Sequence, residues 1–368
     1  MLKRIVSLFL ILSFTSILFG CQENKPYKQL GIPSSQRFTT GVLARCVWDM
    51  KLWNGNLYIG GGDYGTNTGP TEIWAYSLND NKWNLSGTVP DESVVRFSVI
   101  NNNLIIPGVD PTASWEKGNY YKLENSSWQT YRVLPQAVHA FDIIEYNNAI
   151  IVGTGCEIEY YPALISYDNG ETFNHLTFYK DGNPYAVNEY EYSRTYELFN
   201  FNNELYALVY HVLLSGDYSL ELFKFENNSF VFTSNANAFR NPHRLSVNYL
   251  NSKEQFKENF FVSTNYLYVS NNLTDFEKVE LPCNEFSSQI KIYEDKLYVL
   301  CYEKLGEHSY IVKMYTSESG TNDFEEIFSF AYPAPPLSFE KNGNVFYVGM
   351  GNRYAINSKN GMVLQIET

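Results

Sequence analysis

One pattern recurs along the chain: an alternating apolar run, a two-residue turn, and a second alternating run. It reads DMKLWNGNLYIGG at 49–61, RFSVINNNLIIPG at 96–108 and DIIEYNNAIIVG at 142–153. It returns as ELFNFNNELYALV at 197–209, QFKENFFVST at 255–264, QIKIYEDKLYVLC at 289–301 and LSFEKNGNVFYVG at 337–349. Period-two alternation puts side chains on opposite faces of a strand, and Asn-Gly or Asn-Asn between two such runs is the chemistry of a tight hairpin. Between these hairpins lies a second one, closed by an aromatic after a polar turn: Trp83, Trp128, Phe173, Phe230, Phe276 and Phe324. From Trp83 to Trp128 and from Trp128 to Phe173 the step is 45 residues.

Two hairpins per repeat make a four-stranded antiparallel unit. Such a unit cannot bury both faces alone, and a ring of them can. The expected fold is therefore all-β: a single β-propeller over 41–368, with seven four-stranded blades. The repeat at 255–264 departs furthest from the pattern, so six blades stays open as the alternative. The closing segment RYAINSKNGMVLQIE (353–367) holds another hairpin turn at Asn360-Gly361.

The front of the chain is of a different kind. Lys3 and Arg4 precede an apolar run from Ile5 to Phe19, the layout of a secretory signal and too short for a comfortable membrane span. It ends in Leu18-Phe19-Gly20-Cys21, which resembles the bacterial lipobox, with Phe19 in place of the usual small residue. The resemblance implies a signal peptide over 1–21, diacylation of Cys21, and a tether and lead-in segment over 22–40. The partner it implies is the membrane, reached through lipid, and the location is the cell envelope, with Gln22 after the cysteine favouring the outer membrane or surface.

A net charge of −13 argues against nucleic acid and against electrostatic adhesion to an anionic bilayer. The cysteines other than Cys21 lack metal-ligand spacing. Cys283 and Cys301 flank one hairpin, and both ends reach the same face, so a disulfide between them is expected.

The stretch SYDNGETF, Ser166 to Phe173, resembles the Asp box S-x-D-x-G-x-T-W of sialidase-like (BNR) propellers, with Phe for Trp. VSNNLTDF and TSESGTNDF resemble eroded copies. The resemblance implies a structural role for Ser166, Asp168, Gly170 and Phe173: the carboxylate accepts N–H bonds within its own turn, Gly170 takes a left-handed backbone, and the aromatic packs between sheets. This turn joins the third and fourth strands of its blade, on the face away from the expected ligand site.

The opposite face collects the starts of the innermost strands and the loops between second and third strands. Arg45, Arg96, Arg194 and Arg244 fall at such starts, with His139 nearby. A converging set of guanidiniums would grip an anion by bidentate bonds. The long loops at 60–74, 107–121 and 153–162 add Asp63, Tyr64, Asp110, Trp115 and Tyr160. Ring faces beside carboxylates suit sugar recognition. Asp63 and Asp110 with backbone carbonyls are also the nearest approach to a Ca²⁺ site, although no ligand spacing of a known calcium loop supports one. No other cofactor is expected.

Asp49, Asp142 and Glu197 are the candidate catalytic carboxylates. No nucleophile elbow or phosphate loop is present, and the F-R-I-P motif of sialidases is not found. Tyr196 and Glu197 are neighbours on one strand and point to opposite faces, so they cannot form a sialidase pair with each other. The leading expectation is a surface lipoprotein whose propeller face binds a glycan or an envelope protein without turning it over. Two alternatives stay open: a sialidase-like glycoside hydrolase, and an assembly factor for an envelope complex.

Overall fold

The inner hairpins turn where the sequence asks them to. Both turn residues adopt left-handed backbone at Asn54-Gly55 (φ 46° and 73°), Asn101-Asn102 (47° and 57°), Asn147-Asn148 (51° and 63°), Asn202-Asn203 (51° and 62°) and Glu294-Asp295 (51° and 56°). Such turns match the right-handed twist of paired strands, and Asn, Asp and Gly tolerate them best. The structure is a computed structural model and describes residues 25–33, 41, 43–66, 69–112, 116–156, 161–185, 190–236, 252–282, 286–353 and 357–368.

The first repeat forms one antiparallel sheet of Met50–Trp53, Asn56–Ile59, Thr71–Ser77 and Lys82–Val89. The second uses Ser98–Ile100, Asn103–Pro107, Lys117–Glu124 and Ser127–Pro135. The repeat least like the others still completes a sheet, Ser252–Phe256, Asn259–Ser263, Leu267–Ser270 and Glu277–Lys278. Phe286–Tyr293, Lys296–Gly306, Ser309–Ser317 and Glu325–Tyr332 make the next. The last sheet takes Pro336–Asn342, Val345–Met350 and Val363–Glu367 from the end of the chain and Lys28–Gly31 from its front. That front strand pairs Lys28 with Gln365 and Gly31 with Val363, and it lies inside the stretch expected to be tether and lead-in.

The all-β propeller stands, but seven separate blades are not what the sheets show. Among the described residues, five four-stranded sheets stand alone and one sheet has ten strands. The large sheet contains two four-stranded antiparallel runs. One is Ala137–Tyr146, Ala149–Cys156, Ala163–Ser166 and Asn174–His175; the other is Tyr190–Phe201, Glu204–Leu213, Tyr218–Glu226 and Ser229–Asn235. A bridge between Gly155 and Arg194 ties them, and the hairpin Phe178–Lys180 and Asn183–Pro184 extends the far end of the sheet by pairing in parallel with the outer strand Ser229–Asn235. The physical reason for the fusion is local: Gly155 has no side chain, so the inner strand of the next repeat comes close. A Cβ there would meet Phe141 Cε2 at 3.0 Å and Arg194 Cγ at 3.2 Å.

The core lies between neighbouring sheets rather than within any one. Ile73 and Val89 of the first repeat pack with Leu104, Ile106 and Tyr121 of the second, and Phe199 and Leu208 pack with Phe260 and Val262. Each such aliphatic or aromatic side chain contributes about 1.5–3 kcal/mol through burial. The first strands of successive sheets pack on one another around the axis.

Candidate ligand-binding face

Around the axis, polar side chains of the first strands stitch each sheet to the next. Asp49 Oδ2 accepts the Phe97 N–H (2.9 Å), and Asp142 Oδ2 accepts the Leu198 N–H (2.8 Å). Gln289 Oε1 accepts the Phe339 N–H (2.7 Å), and Glu340 Oε2 accepts the Leu52 N–H (3.2 Å), closing the ring from last sheet to first. Buried amides need a partner, and these side chains supply one across these four junctions.

The three candidate catalytic carboxylates are all in this ring. Arg96 reaches Asp142 at 2.6 Å and Glu197 at 2.9 Å, and Lys253 binds Asp142 at 2.9 Å and also contacts Glu197. Burial alone would raise Asp142, but Arg96 and Lys253 hold its carboxyl below the usual range. Asp49 further accepts Gln289 Nε2 (3.2 Å), with Lys291 Nζ 3.8 Å away. Lys291 is raised by Glu340 and Asp49 against the opposing effect of its burial. The carboxylates are thus engaged as sheet latches and ion pairs, and Arg96 is neutralised by two of them. Lys253, Lys291, Gln289 and Glu340 went unnoticed in the sequence. For Gln289, Lys291 and Glu340 the signal was a polar residue at alternate positions of an inner strand; Lys253 lies in Ser252–Phe256, where every residue but Phe256 is polar.

A different group gathers on the loop face. His139 donates Nδ1–H to the Val109 carbonyl (2.7 Å), and the same nitrogen lies 3.7 Å from Asp110 Oδ1. His139 stacks on Phe141 (centroids 5.4 Å, 20°). The Arg194 guanidinium lies 4.5 Å over the Tyr192 ring and 5.7 Å from that of Phe141, and it donates to Tyr196 Oη at 3.2 Å. Burial, with Arg194 behind it, pushes the His139 pKa down against Asp110. Burial pushes Asp110 up against the pull of His139 and Arg194. The structure therefore brings together Asp110, His139 and Arg194, which come from different repeats.

Asp63 and Tyr64 sit in the first long loop. Asp63 Oδ1 accepts the Gly65 N–H (2.9 Å), while its buried Oδ2 finds no hydrogen-bond partner among the described residues. Tyr64 leans on Trp48 (5.5 Å), whose indole donates to the Gly62 carbonyl (2.9 Å). This loop is laced to the start of the second repeat: Asp63 N–H donates to the Glu92 carbonyl (2.9 Å), and Glu92 N–H to the Asp110 carbonyl (3.0 Å). Asp91 organises the junction, accepting from Asp110 N–H (3.0 Å) and Tyr121 O–H (3.1 Å). Among the described residues, no three Asp, Glu, His or Cys side chains converge to hold a metal ion. Arg45 ends a single 3-10 turn, Leu43–Arg45. Cys21, Trp115, Tyr160, Arg244 and Cys283 lie outside the described residues, so the anchor and the disulfide have no structural account; Cys301 is fully buried.

On the far face, Ser166 Oγ donates to Asp168 Oδ1 (2.7 Å) and accepts the Gly170 N–H (2.9 Å), and Asp168 accepts the Thr172 N–H (2.9 Å). Bonds from Thr172, first its hydroxyl and then its amide, and from Ser166 draw the Asp168 carboxyl down to about 2. Gly170 is left-handed (φ 90°), and Phe173 is buried between sheets. The same serine hook ends three other third strands. Ser77 bonds Asp80, Ser270 bonds Asn272, and Ser317 bonds Asp323 while accepting the Gly320 N–H (2.6 Å).

No family model and no curated protein matches the chain. Solved structures do. The polysaccharide lyase Uly1 aligns over 89% of this chain and 91% of its own, at 7% identity and a TM-score of 0.54. The β-propeller domain of the Trilobed protease from Pyrococcus furiosus covers 86% and 92%, at 9% identity and 0.48. BamB from Moraxella catarrhalis covers 87% and 84%, at 10% identity and 0.41. At such identities the likeness is one of fold alone.

Proposed function

We propose that this chain is an exported, lipid-anchored propeller that holds an acidic glycan on its loop face without cleaving it. The observation that carries this reading is Arg194, stacked on the Tyr192 ring beside His139, with Tyr196 fixing its fork. A guanidinium set on ring faces pairs with a carboxylate or sulfate, and the rings accept the C–H patches of a pyranose. The polysaccharide lyase neighbour lends support in that a ring of this build serves a protein acting on polysaccharide. The lipobox-like Leu18–Cys21 supports the anchor.

We count the ten-stranded sheet as two blades, giving seven, because it holds two complete four-stranded runs in chain order. Kinship with sialidase-like propellers is supported by the serine-hooked turn of Ser166 to Phe173. A glycoside hydrolase remains the second reading, favoured by that turn alone.

A glycan array carrying neutral, uronate-bearing and sulfated glycans, with a parallel assay for released sugar, tests the proposal. Acidic glycans should bind, Arg194→Gln should abolish binding, and no sugar should be released. Sugar release would move the protein to the hydrolase reading. Co-purification of an envelope protein with no glycan bound would make it an assembly factor.

A further inference from the structure

The tyrosines around Arg194 do not stop at the site. They continue outward across the fourth repeat, one strand at a time. Tyr196 and Tyr192 belong to its first strand, Tyr210 to its second and Tyr218 to its third. The register explains the row: Arg194 pairs with Tyr210, and Tyr192 pairs with Val212, which pairs with Tyr218. Ring centroids step 6.0 Å from Tyr196 to Tyr210 and 5.5 Å from Tyr210 to Tyr218, with Tyr192 6.4 Å from Tyr210.

Exposure rises along the row. Tyr196 is buried, Tyr210 and Tyr192 are half-buried, and Tyr218 is 41% exposed. Beyond it Leu214 stands 70% exposed on the turn that links the second and third strands. That turn is held by Leu213 N–H to the Asp217 carbonyl (2.7 Å) and Gly216 N–H to the Leu213 carbonyl (2.8 Å). The row therefore rests on a fixed sheet and a closed turn.

We propose that this row is an extended subsite for an acidic oligosaccharide, an inference that rests on the glycan-binding reading above. The anionic group of one residue sits at Arg194, and the chain runs radially outward with successive rings over Tyr210 and Tyr218. The centroid steps are comparable with the length of one pyranose residue. Among the described residues this tyrosine ladder carries its guanidinium at the Arg194 end, and the rings that lead away from it suit a chain of sugar residues, whereas a compact anion needs the guanidinium alone. A sugar chain also fits better than a peptide that would add a strand at the middle of the row, since the strand that carries Tyr210 is paired on both sides, Tyr210 with Arg194 and with Leu220.

The test is calorimetric titration of the purified chain with monomers, dimers and tetramers of galacturonate, glucuronate and mannuronate. Affinity should rise with length. Tyr218→Ala should weaken the tetramer about five- to tenfold and leave the monomer unchanged, while Tyr218→Phe should keep the affinity. Tyr218 is exposed, so neither change threatens the fold. If binding depends on Arg194 but ignores length and Tyr218→Ala, the ladder falls and the glycan site stands. If no uronate binds at any length, the ladder falls; if the sulfated glycans of the array fail as well, the glycan-binding reading falls with it.

Discussion

At the scale of single residues, Gly170 shows how little freedom a turn leaves. Its φ of 90° suits glycine, and a Cβ there would come within 2.5 Å of Tyr120 Oη, which itself donates to the Gly170 carbonyl (3.1 Å). Gly170→Ala should cost about 1–3 kcal/mol, read as a lower urea midpoint. An unchanged midpoint would mean the turn is not fixed as described. This residue was legible in the sequence, because Ser166, Asp168 and Gly170 stand at motif spacing. The matching hook at Ser317 was only half legible. Its carboxylate comes from Asp323, near the end of the turn, a place no spacing rule marks. Tyr210 and Tyr218 were not legible at all: with 30 tyrosines in the chain, nothing set these apart until the strand register lined them up.

At the scale of strands, the inner hairpins were legible because turn chemistry and alternation agreed. What joins one hairpin to the next was not. Asp49 was a candidate catalytic carboxylate because it leads into an inner strand; in the structure it accepts the Phe97 amide of the following sheet. Asp49→Ala orphans that amide and should destabilise the protein by about 1–3 kcal/mol. Asp49→Asn keeps a carbonyl oxygen in reach and should restore most of the loss. Thermal unfolding of the two variants decides. Equal damage from both would mean that the charge facing Lys291, not the latch, is what matters. The junction between the third and fourth repeats escaped the sequence for a similar reason: a lone Gly155 gives no sign that two repeats will meet there.

At the scale of the molecule, the opposed pKa shifts predict a split response to pH. Asp91 and Glu92 are both pushed up to about 7: Asp91 by burial, and Glu92 by burial and then by Asp110 and Asp63. A carboxyl raised on folding favours the folded state in its neutral form. That contribution is complete below the unfolded pKa and is lost as pH rises through about 7. The junction between the first two repeats should therefore open more readily above neutrality. Amide exchange at 62–65 and 91–93, corrected for intrinsic rate, should be faster at about pH 8.5 than at about pH 5.5, and Glu92→Gln should flatten the difference. No difference in the unmodified chain would remove the effect. Asp168 works the other way. Its depressed pKa keeps its turn intact until pH falls towards 2.

The strand Lys28–Gly31 carries a consequence in time. Its partner, Val363–Glu367, follows every other sheet in sequence, so the early strand cannot pair until that late one is available. Until Val363–Glu367 is available the closing sheet lacks its outer edge strand, although Tyr27 finds its partners Phe330 and Tyr332 earlier, on the strand Glu325–Tyr332. The sheets between these two strands can assemble first, but closure of the ring waits until Val363–Glu367 meets Lys28–Gly31.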